Sequence, residues 1–139
     1  MAADNKATIR YAGEDLFVGT TPSGHTLTLD TNAERSSAAS PVELLLVALG
    51  GCTAVDVISI LKKKREIVSD YRVEVSGQRR QDHPRAFTNM EVKHVLRGRG
   101  ISPKAVAQAI ELSENKYCSV AATLRPTVQI VSTFEIIED

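Results

Sequence analysis

The sequence predicts an α+β protein of element order β-β-β-α-β-β-α-α-β, with antiparallel sheets wrapped around a long central helix. Three observations predict it. The stretch Ser40–Arg65 (SPVELLLVALGGCTAVDVISILKKKR) is apolar on nearly every side and carries helix signals at both ends. Short runs of alternating apolar and polar residues flank it, separated by turn material rich in Gly, Pro, Ser and Asp. A second Ser-Pro pair, Ser102-Pro103, opens another segment with helical spacing. The length of 139 residues suits one domain, 1–139, with a core large enough to stand without staples.

In chain order, Met1–Asn5 is a loose end. Lys6–Tyr11, Leu16–Thr20 and His25–Asp30 alternate as strands, and the short turns between them imply an antiparallel meander. Thr31–Ala39 is a polar loop. At the helix start Ser40 caps, Pro41 suits the first helical position, and Glu43 completes a Ser-x-x-Glu box. Lys62, Lys63, Lys64 and Arg65 place cations where the helix dipole is negative. A helix so evenly apolar needs burial from several sides. After it, Tyr71–Arg80 and Phe87–Arg97 form a long hairpin about the turn Gln81–Pro84, and Gly98 and Gly100 end it. Val106, Ala109, Ile110 and Leu112 line one face of a second helix. A third runs from about Asn115 through Cys118 to Leu124, Pro126 stops it, and Thr127–Ile137 is the last strand.

Composition narrows the function classes. Lys plus Arg and Asp plus Glu both count 17, so no charge excess points to nucleic acid or a membrane surface. Trp is absent and aromatics are 4% of residues, which argues against a base-stacking platform. Leu44–Leu61 approaches the length of a membrane span, but Asp56 inside it costs about 2.5–3.5 kcal/mol on insertion scales. The stretch is therefore expected to be a core helix. No apolar run opens the chain as a signal peptide would, and two cysteines in such a chain suggest the cytoplasm, with thiols kept reduced. Lys62–Arg65 is either a solvated helix end or a basic interaction patch.

The candidates for chemistry are few. His25, His83 and His94 have no metal-ligand spacing to each other or to either cysteine, and each is expected on a surface or strand face. No phosphate loop, dinucleotide fingerprint or nucleophile elbow is present. That leaves Cys52 and Cys118. Cys52 is either a small core hydrophobe or a reactive thiol. It lies mid-helix, beyond the reach of the helix dipole, and Asp56 shares its face, so a reactive Cys52 needs a cation brought from elsewhere. Cys118, if Asn115 caps, lies in a first helical turn near Lys116. Sequence distance does not say whether the two sulfurs meet.

The segments SPVELLLVALGGCTAVDV, HPRAFTNMEVKHVLRG and ISPKAVAQAIELSENKYCSVAATL resemble, in order, the cysteine-bearing central helix, the hairpin and the second cysteine motif of the OsmC/Ohr superfamily. The resemblance covers most of the chain from Ser40 onward. It looks closer to an OsmC-like branch than to the best-studied hydroperoxide reductases. It implies an OsmC-like fold, an intertwined homodimer with sites at the subunit interface, and thiol-dependent reduction of organic hydroperoxides. In that chemistry Cys52 attacks and becomes a sulfenic acid, and Cys118 condenses with it to a disulfide. No cofactor is implied beyond an external dithiol reductant; the partners implied are a second copy and a small apolar hydroperoxide or other apolar ligand. The alternative is a dimeric small-ligand-binding or stress protein whose cysteines are core residues. The family's activating Arg belongs near the first β-turn, where Tyr11–Asp15 supplies acids instead; Arg10, Arg35 and Arg85 are the possible substitutes. The family's Glu sits ten residues before the cysteine, a place held here by Val42. Glu43, nine before, is roughly 13 Å up the axis on the opposite face. It serves a partner chain's cysteine or caps the helix.

Overall fold

The computed structural model describes residues 5–139, so the loose end expected over Met1–Asn5 lies almost wholly outside the described residues. The chain divides into two compact units, Met1–Leu45 and Leu46–Asp139. The architecture is α+β, with two three-stranded sheets and one long helix.

The first unit is the expected antiparallel meander: β1 (Thr8–Gly13), β2 (Leu16–Thr20) and β3 (Thr26–Asp30), paired in sequence order. Its first turn places Glu14 and Asp15 in the left-handed region, at φ 54° and 65°. The loop after β3 hangs on one carboxylate. Asp30 accepts from Arg35 Nε and Nη2 at 2.8 and 2.9 Å, from Ser37 Oγ and N at 2.6 and 3.0 Å, and from Asn32 N at 2.9 Å. The Arg35 guanidinium and these donors hold the Asp30 carboxyl well below the usual carboxylate range.

α1 (Glu43–Lys63) begins in the first unit and runs through the second. Its start is the expected reciprocal cap: Ser40 N donates to Glu43 Oε2 at 2.8 Å and Glu43 N to Ser40 Oγ at 3.3 Å. Its end turns on Arg65, at φ 60°, with Glu66 N bonded to Leu61 O and Arg65 N to Lys62 O. That is a Schellman closure with arginine where glycine is usual. Burial from several sides is not what one chain provides. Leu49, Thr53, Val57 and Leu61, spaced every four residues, are buried along one face, whereas Val47 and Val55 are 67% exposed. The residues are apolar around the helix, but a single chain covers only the stripe that meets its own sheet and second helix.

The second unit holds β4 (Val68–Arg79), β5 (Phe87–Gly98) and β6 (Gln129–Glu138), in the order β4-β5-β6. β4 and β5 form the expected hairpin. β6 departs from the antiparallel expectation and joins β5 in parallel. The return from the end of β5 is long enough for a helical crossover, as a parallel pair requires. That crossover is α2 (Pro103–Leu112), one π-helical turn (Ser113–Tyr117) and α3 (Ser119–Leu124). Gly50 lets α1 approach β4 closely, because a Cβ there would lie 3.0 Å from Val75 Cγ2. Val57 and Leu61 then join Leu96, Ile101, Val106 and Ala109 in the core. α1 is long and apolar enough to cross a membrane by length and composition, but this face is committed to packing within the unit.

His94 takes the strand-face alternative of its expectation, and the face is the inward one: the residue is 0% exposed, on the central strand β5. The even-numbered β5 residues Met90, Val92, His94 and Leu96 all point into the core, so strand alternation carries the imidazole inward with them. Nδ1 bonds to Tyr71 Oη at 2.7 Å and Nε2 has no partner among the described residues. His83 and His25 are exposed as expected.

Candidate functional site: two cysteines and a carboxylate

Cys52 and Asp56 are one helical turn apart on α1, at the edge of its buried stripe. Cys118 comes from the crossover, and its setting differs from expectation. No helix starts at Asn115, because α2 runs without a break into the π-helical turn, closed by Cys118 N on Ser113 O at 2.7 Å. Cys118 is itself the N-cap of α3, with Sγ accepting from Ala121 N at 3.4 Å. It thus lies one position outside the helix rather than in its first turn.

The two thiols meet. Cys52 Sγ, Cys118 Sγ and a carboxylate oxygen of Asp56 all lie within 4.8 Å of one another. Cys52 is half-buried, while the Cys118 residue is 3% exposed. Burial pushes the Cys118 thiol up to about 11; the Ala121 amide opposes the rise and contact with Cys52 adds to it.

A short polar chain holds the carboxylate. Ser113 Oγ donates to Asp56 Oδ2 at 2.9 Å and lies 2.9 Å from Thr53 Oγ1. A serine hydroxyl has one proton, so Thr53 is the donor to Ser113. Glu114 and Ser132 line a small pocket with Cys118, where Glu114 accepts from Ser132 Oγ, and burial raises its carboxyl against the opposing charge of Arg125. Ser113, Thr53, Glu114 and Ser132 were not singled out in the sequence. Only the π-helical turn, which no spacing rule anticipates, brings Ser113 over α1.

The remaining predicted residues lie elsewhere. Glu43 is engaged in the cap at the start of α1. Arg35 is bound to Asp30, and Arg85 Nη2 sits 3.3 Å from His83 Nε2 in the β4–β5 turn. Arg10 is exposed on β1. Among the described residues Asp56 forms no ion pair. Lys62–Arg65 are exposed at the helix end, Lys64 Nζ reaching Gln108 Oε1 at 2.9 Å.

A family model described as "OsmC-like protein" matches residues 33–133, more than two thirds of the chain. The chain belongs to the OsmC-like family. Protein YhfA of Escherichia coli K12 is 39% identical over 132 residues, covering 95% of this chain and 98% of its own. A crystal structure of a hypothetical protein from Aquifex aeolicus VF5 superposes with a TM-score of 0.88 at 34% identity, covering 99% of both chains. An organic hydroperoxide resistance protein from Elizabethkingia anophelis shares the fold, with a TM-score of 0.74 at 13% identity and 99% of both chains covered. Within this OsmC-like fold the cysteine pair is set by α1 and the crossover, the segments that carried the resemblance.

Proposed function

We propose that this OsmC-like protein is a thiol-dependent peroxidase that reduces organic hydroperoxides, with Cys52 attacking and Cys118 resolving. The observation that carries the reading is the approach of the two sulfurs to within 4.8 Å. Cys52 is the sulfur open to a substrate. Cys118, buried and raised to about 11, stays a thiol at neutral pH and is suited to the second step. The Cys52 thiolate attacks one oxygen of the O–O bond, the alcohol leaves with a proton, and a sulfenic acid remains. Cys118 sulfur then displaces water from that sulfenic acid, its own proton leaving in the water, and the S–S bond closes to about 2.05 Å. An external dithiol returns both thiols. An apolar groove lined by Leu46, Val47, Gly51, Ala54, Val73 and Val75 runs beside the turn that holds Cys52, which supports an apolar substrate. The exposed Val47 and Val55 support a second copy packed on α1. Glu43, spent on the cap in its own chain, enters the chemistry only by reaching the second copy's cysteine. A cytoplasmic location accords with this chemistry, which needs the thiols reduced between turnovers.

A second reading is favoured by the Asp56 carboxylate beside both sulfurs, which opposes thiolate formation. In that reading the dimer binds a small apolar ligand and turns peroxide over poorly. The deciding experiment is consumption of an aryl hydroperoxide in the presence of a dithiol. The peroxidase reading expects Cys52→Ser to abolish it and Cys118→Ser to accumulate a sulfenic acid that dimedone traps. Turnover unchanged in Cys52→Ser rejects it, and negligible wild-type turnover selects the second reading.

A further inference from the structure

We infer that Cys52, Cys118 and Asp56 form a zinc site that competes with the redox use of the same sulfurs. The inference stands on the geometry of the three groups, not on the peroxidase reading.

Two thiolates and one carboxylate are a donor set suited to Zn²⁺, which takes sulfur at about 2.3 Å and carboxylate oxygen at about 2.0–2.2 Å. A tetrahedral ion at those lengths needs its ligand atoms about 3.6–3.8 Å apart. The three atoms already lie within 4.8 Å of one another, so adjustment of about an ångström completes the arrangement. The surroundings fit as well. Cys52 and Asp56, at i and i+4 on one rigid helix, face the same way. Ser113 Oγ binds Asp56 Oδ2, which fixes the carboxylate and leaves the other oxygen free. Ala121 N–H points at Cys118 Sγ, the type of contact that stabilises a metal-bound thiolate. Cys52 and Asp56 are half-buried, so a water can take the fourth position. Binding replaces the two thiol protons with two Zn–S bonds and releases the protons to solvent. While the metal is held, neither sulfur is free to attack a peroxide.

The test titrates the reduced full-length protein with Co²⁺, without peroxide. One equivalent is expected to give a sulfur-to-cobalt charge-transfer band and the visible bands of a tetrahedral ion, and Zn²⁺ should bleach them. Cys52→Ser and Cys118→Ser should lose the charge-transfer intensity of the pair. Asp56→Asn, which keeps an acceptor for Ser113, should weaken Zn²⁺ by at least about tenfold; unchanged melting temperatures confirm folding. Zn²⁺ should also slow alkylation of both cysteines. Absence of the bands in the wild type overturns the proposal. So does equal affinity in a folded Asp56→Asn, which would remove the carboxylate from the site. Peroxidase activity can fail in its own assay while this binding survives, and the reverse.

Discussion

Acid should weaken the fold through His94, and the size of the effect follows from its surroundings. The imidazole is fully buried, with Nδ1 on Tyr71 Oη at 2.7 Å and Nε2 unpartnered among the described residues, so a proton added to the ring would sit in the core without a counter-charge from them. Burial accordingly lowers its pKa from 6.5 to about 4. In the unfolded chain the ring protonates near the ordinary value, so between these two pH values the unfolded state binds more protons. Stability therefore rises with pH through that window, is fully present above about 6.5, and is lost as pH falls toward about 4. Each pH unit of separation corresponds to about 1.4 kcal/mol, which sets a ceiling of roughly 3 kcal/mol. From pH 7 to pH 5 the loss is about 2 kcal/mol, or a melting temperature lower by roughly 5–10 °C for a chain of this size. The assay is urea unfolding of the wild type and His94→Leu at pH 7 and pH 5. The variant is less stable at neutral pH, because Tyr71 loses its partner, but its fall from pH 7 to pH 5 should be smaller by about 2 kcal/mol. Equal falls in the two proteins, or an imidazole resonance that titrates near 6.5 in the folded state, would refute the reasoning.

Three further outcomes are expected. Gly51→Ala adds a methyl that meets nothing within 4 Å among the described residues, so it should stabilise by about 0.5–1 kcal/mol through helix propensity; a marked loss in thermal melting would instead mean that a second copy presses on that face. Gly98→Ala places a Cβ 2.1 Å from Ile67 O, and since backbone must shift it should cost about 1–3 kcal/mol in the same measurement. Thr53→Val is close in shape and removes one buried hydroxyl from the Thr53–Ser113–Asp56 chain, for an expected loss of about 1 kcal/mol by urea unfolding; no change would place that hydrogen bond outside the stability balance.

Local chemistry made much of the fold legible. The turn residues between β1, β2 and β3 forced short connections and hence antiparallel pairing, and Ser40 with Glu43 marked the start of α1 because a capping box is written in four consecutive residues. Alternation in β4 and β5 exposed the hairpin for the same reason, since each side chain's face follows from its neighbour's. Both cysteines were legible as the candidates, one by its place in the apolar helix and one by the motif around it. What the residues could not carry was anything decided by segments remote in sequence. Whether Cys118 reaches Cys52 depends on a π-helical turn that inserts Ser113 against α1, and i→i+5 bonding leaves no composition signal. The parallel seating of β6 and the burial of His94 were likewise set by the crossover and by β5 lying between two strands. Sequence by itself determined the strands, α1 and α2, since capping, turns and periodicity act within a few residues. Only the tertiary structure decided that two thiols and a carboxylate share one site, because bringing them together is the work of long-range packing.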